Sequence, residues 1–79
     1  MWWYYEKISE TADTMIYAYS RENRNLDGRM KIDRKTGKAE MLQPSAEDVD
    51  SAYAQKAACR KAYQLMKSNF PVNKMIACG

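Results

Sequence analysis

The stretch between Pro44 and Pro71, SAEDVDSAYAQKAACRKAYQLMKSNF, constrains this chain more than any other. It reads as one long helix. Ser45 is placed to cap it, with Asp48 answering as in a capping box. Glu47, Asp48 and Asp50 fall in the first turns, where the positive end of the helix dipole favours acids, and Lys67 falls near the other end. Pro71 disfavours helical geometry at Phe70, so the pattern predicts a helix of about 23 residues and about 35 Å. Ala52, Cys59, Ala62, Tyr63, Met66 and Phe70 share one stripe, with Ala58 and Leu65 beside it. Alanine at the middle of that stripe predicts close approach to a flat partner surface, a sheet.

The sheet comes from the residues before the helix. Trp2–Ile8 and Thr14–Arg21 are rich in aromatic and β-branched residues and read as strands joined by the turn Ser9–Asp13. A polar loop, 22–27, ends in Asp27-Gly28, a favourable turn pair. Arg29–Ile32 alternates basic and apolar residues, 33–38 is a tight hairpin with Gly37 at the left-handed position, and Lys38–Gln43 is a fourth strand. Lys74–Cys78 is a candidate short fifth strand at a sheet edge. Short turns between successive strands predict an α+β fold: a four-stranded antiparallel meander with one long C-terminal helix packed on one face. With 79 residues, positions 1–79 make a single small domain whose core is barely large enough.

Alternation along each strand divides the sheet into two faces. Met30 and Ile32 are expected toward the helix, with Arg29 and Lys31 opposite. In the second strand Ile16 and Ala18 share a face, and Met15, Tyr17, Tyr19 and Arg21 share the other. Ala18 suits close packing under the alanine stripe, while the tyrosines are the alternative buried set. In the first strand Trp2 and Tyr4 point one way, Trp3 and Tyr5 the other, and one helix covers only one side. An aromatic cluster drawn from Trp2, Trp3, Tyr4, Tyr5, Tyr17 and Tyr19 is therefore expected on the open face, where such clusters mark interaction sites.

The chain carries 13 Lys and Arg against 10 Asp and Glu, a net charge of +3, and no His. Without histidine, every Ser-His, Cys-His or His-metal arrangement within one chain is excluded. The carboxylates are scattered over loops and the helix start, and RKTGK lacks the spacing of a phosphate-binding loop. Asn23-x-Asn25-x-Asp27-Gly28 copies the start of an EF-hand loop, but the twelfth position is Arg34 where a bidentate Glu is needed, so it reads as a polar turn. Cys59 and Cys78 have no zinc-site spacing. No metal, cofactor or catalytic role is expected.

No run of residues has the length of a membrane span, and MWWYYEK lacks the basic and long apolar parts of a signal peptide, which makes the cytoplasm the expected address. The function expected from these features is that of a small interaction module. It would associate with itself, or with another protein, through the open aromatic face. The alternative is nucleic-acid binding on the same face. There bases would stack on aromatic rings and Arg21, Arg29, Lys31, Arg34, Lys35 and Lys38 would hold phosphates.

Overall fold

The computed structural model describes residues 2–77. Its elements are strands β1 (Trp2–Glu10), β2 (Thr14–Arg21), β3 (Gly28–Asp33) and β4 (Ala39–Gln43), a 3₁₀ turn (Ala46–Asp48), helix α1 (Ala52–Lys67) and strand β5 (Asn73–Ala77). The strands form one antiparallel sheet in the order β4-β3-β2-β1-β5. The first four make the expected meander, and the fifth pairs with β1. Helix α1 therefore carries the chain from one edge of the sheet to the other, and β4 and β5 run in the same direction. Its axis crosses a face that the aromatic strands have already built.

The helix is shorter than the expected span, and both differences have local causes. At its start, Asp48 does not answer a Ser45 cap. Its side chain is buried beneath the 3₁₀ turn, and the N-cap is Ser51, whose Oγ accepts from Ala54 N at 3.0 Å. Ser45 Oγ instead donates to Asp27 Oδ1 at 2.7 Å. At its end, Asn69 N–H donates to Met66 O at 3.0 Å and Phe70 N–H to Leu65 O at 2.7 Å. Asn69 has φ 62° and Phe70 φ 52°. These two bonds form a Schellman closure with Asn at the left-handed position, so the helix stops at Lys67, before the Phe70–Pro71 boundary. Its 16 residues span about 24 Å.

The core lies between α1 and one sheet face. Met30 and Ile32 point into it as alternation requires, joined by Trp3, Tyr5, Met15, Tyr17, Tyr19 and Ile76. From the helix come Ala57, Ala58, Ala62 and Leu65, followed by Phe70. The buried stripe is thus turned slightly from the expected one: Ala52 and Tyr63 are exposed, Cys59 is half-buried, and Ala54, Ala58, Ala62 and Leu65 face the sheet. Volume explains the choice of sheet face. Interiors pack to nearly uniform density, so a helix surface of alanines leaves room for tyrosines and a tryptophan opposite. Alanine over Ala18 would have left a void. Ala18 is instead on the far face.

Candidate interaction face

The uncovered side of the sheet is built by the residues alternating with the core set. Along β1 these are Trp2, Tyr4 and Glu6. The register sets Trp2 opposite Ala77 and Tyr4 opposite Met75 in β5. Trp2 is 42% and Met75 48% exposed, and Tyr4 is half-buried between them and the neighbouring loop. One apolar patch therefore runs across the β1–β5 edge of the open face. Next to it, a recess of about 300 Å³ is lined by Tyr4, Glu6, Arg24, Leu26 and Met75 among others.

The loop 22–27 narrows this face. Ser20 Oγ donates to Asn23 O at 2.6 Å, and the Arg24 guanidinium sits 5.2 Å from the Tyr4 ring centre. Arg29 Nη1 donates to Leu26 O at 2.7 Å and to Gly28 O at 2.8 Å. Ala18 and Ser20 are buried on this side under that loop. Asn23 and Asp27, two of the would-be calcium ligands, are used within the chain: Asn23 Oδ1 accepts from Asn25 N inside the loop, and Asp27 ties the loop to the start of the 3₁₀ turn by accepting from Ser45 Oγ and Ala46 N. The Ala46 amide, then the Ser45 hydroxyl, hold the Asp27 carboxyl below its ordinary range.

Of the six aromatic residues from which an open-face cluster is expected, one Trp–Tyr pair, Trp2 and Tyr4, is there. Trp3, Tyr5, Tyr17 and Tyr19 lie under the helix, each at most 2% exposed. The three tyrosines can be buried because their hydroxyls find partners at that depth. Tyr5 Oη donates to Ala58 O at 2.7 Å, Tyr17 Oη to Pro71 O at 2.5 Å and Tyr19 Oη to Asp48 Oδ2 at 3.0 Å. Burial pushes the Tyr17 hydroxyl pKa up to about 12, and raises Tyr5 and Tyr19 further still.

The basic residues do not form a strip. Arg21 is on the helix side, its Nε 3.0 Å and Nη2 2.9 Å from Asp48 Oδ1. Arg34 pairs with Glu10, whose carboxyl is held low by hydrogen bonds from Lys7 and Arg34, and it also lies 5.7 Å from the Phe70 ring centre. Arg29 is occupied with the loop carbonyls. Lys31 stands opposite Glu40, and with Lys38 it lines a hollow that also contains Asp33 and Glu40. Lys35 lies in the 33–38 turn, its backbone N–H donating to Asp33 Oδ1.

Met75, Arg24 and Leu26 belong to this face and were not among the expected residues. Met75 has a signal in the sequence, since the buried Ile76 makes its neighbours in a fifth strand point outward. Arg24 has none, because its place depends on the path of a loop. On the other side of the sheet, burial raises the pKa of the Cys59 thiol, the reverse of what an activated nucleophile needs. No helix among the described residues is long and apolar enough to cross a membrane. No family model matches the chain, and neither a curated protein nor a solved structure matches it.

Proposed function

We propose that the protein is a small binding module that pairs with a second copy of itself through the open sheet face, centred on Trp2, Tyr4 and Met75. The observation that carries this reading is the contiguous apolar patch those three residues make on the side the helix leaves uncovered. Patches of that kind on small domains are the usual mark of a protein contact. The charges beside the patch are of both signs. Glu6 and Arg24 line the same recess, so a two-fold axis there sets the acid of one copy near the base of the other. The cytoplasmic setting expected from the sequence goes with this reading, since a free Cys59 stays reduced there.

The nucleic-acid reading is the weaker one. Arg21, Arg29 and Arg34 are already engaged within the chain, and the hollow holding Lys31 and Lys38 also holds two acids. Sedimentation equilibrium at low and high salt tests the choice. A dimer that persists at high salt and becomes a folded monomer on Met75→Lys or Tyr4→Glu is the expected result. A wild-type monomer at every soluble concentration rules out self-pairing. Single-stranded DNA binding that weakens steeply with salt would move the nucleic-acid reading to first place.

A further inference from the structure

A second recess lies on the helix side, away from the open face. It opens where the first turns of α1 meet the start of β1 and the end of β2, and has a volume of about 420 Å³. That is within the range of about 300–1,000 Å³ typical of small-molecule sites. Trp3, Tyr53, Ala54 and Ala57 supply an apolar wall. Arg21, Arg60 and Lys61 supply charge of one sign, and no Asp or Glu lines the recess.

These three cations are not equivalent. Arg21 is neutralised by Asp48 behind the wall. Arg60 and Lys61 have no ion pair among the described residues, and the Arg60 guanidinium lies 5.9 Å from the Tyr53 ring centre. A separate observation comes from Trp3. It is 2% exposed, it lines the recess, and its Nε1 is buried without an acceptor among the described residues. Native chains seldom leave a buried donor unpaired, so Trp3 is the least satisfied part of this wall.

We infer that this recess binds a small organic anion: an apolar body of aromatic size against Trp3, Ala54 and Ala57, and a carboxylate or phosphate head held by Lys61 and Arg60. The apolar wall selects against a bare inorganic anion, and the two free cations select against a neutral hydrophobe. Nothing in this inference depends on the open face.

The indole N–H signals of the ¹⁵N-labelled protein test it, with Trp2→Phe distinguishing Trp3 from Trp2. Phenyl phosphate and phenylacetate are the probes, and benzyl alcohol and inorganic phosphate are the controls. At least one organic anion should shift the Trp3 indole signal saturably. Binding should weaken about tenfold or more in the folded Arg60→Gln/Lys61→Gln variant, as loss of charge-assisted hydrogen bonds implies. Both controls should bind about tenfold more weakly or not at all. The inference is overturned if neither anion moves the Trp3 signal, if either control binds as tightly as the anions, or if the double variant binds like the wild type.

Discussion

Asp48 shows how one side chain fixes the geometry around the helix start. It is fully buried, and it receives Tyr19 Oη on one oxygen and the Arg21 guanidinium on the other. Tyr19 Oη in turn accepts from Ser45 N at 3.0 Å, and Gln55 Nε2 donates to Asp48 O at 2.9 Å. The Tyr19 ring fits only because position 28 is glycine, since a Cβ there would stand 2.1 Å from Tyr19 Cε1. Asp48→Ala leaves a tyrosine hydroxyl and a guanidinium without their acceptor. The loss expected in urea denaturation is about 3 kcal/mol, at the low end for a broken buried pair because Arg21 keeps some contact with water. Asp48→Asn retains an oxygen for Arg21, and its amide can donate to the free lone pair of Tyr19 Oη, so about 1 kcal/mol is expected there. A loss below about 0.5 kcal/mol in Asp48→Ala would show that the network contributes little. An acid near a helix start is visible in the sequence, but its donors are not: Tyr19 and Arg21 come from a strand more than twenty-five residues earlier. The residue type fits a cap and a buried acceptor equally well.

At the scale of elements, small helix residues are matched to large strand residues. Ala58 and Ala62 let α1 lie close over Tyr5, Tyr17 and Tyr19, whose hydroxyls then reach backbone carbonyls and Asp48. Alternation in β2 separated the two possible buried sets cleanly, but it could not choose between them. The choice follows from filling the space above an alanine surface, a property of two elements together. It has a consequence in alkali. An unfolded tyrosine loses its proton near 10.0, whereas Tyr17 holds its proton to about 12, and Tyr5 and Tyr19 hold theirs beyond that. Above about pH 10 the unfolded chain therefore binds fewer protons than the folded one, and stability falls as pH rises. Each of the three contributes a slope of at most about 1.4 kcal/mol per pH unit. Urea midpoints from pH 8 to 11.5 should begin to fall past about pH 9, where the buried Cys59 thiol keeps its proton longer than an unfolded one, and fall more steeply past about pH 10. Tyr17→Phe should make the decline shallower. A profile level to pH 11.5 would mean that these hydroxyls are not held as the packing requires.

At the scale of the whole molecule, the path from β4 through α1 to β5 decides what the rest of the chain depends on. The meander follows from short turns and is plain in the sequence. The edge that receives the last strand is not, because two edges are open until α1 has crossed the sheet. By pairing with β1, β5 turns what would be an aromatic edge into the second strand in. Ile76 is buried beside Trp3, Lys7 N–H donates to Val72 O at 2.6 Å, and Tyr17 Oη donates to Pro71 O. A chain shortened to residues 1–68 loses all of these together, along with Phe70 and the Schellman bond to Leu65 O. It keeps the meander and all of α1, but it exposes the backbone of β1 as a long edge flanked by Trp3 and Tyr5, a ready template for aggregation. A domain this small has little stability to spare. The shortened chain should therefore lose its cooperative urea transition and associate through β1. If residues 1–68 unfold cooperatively, within about 1 kcal/mol of the full chain, then β5 is an addition to a sheet already complete, and the crossover is not what holds this fold together.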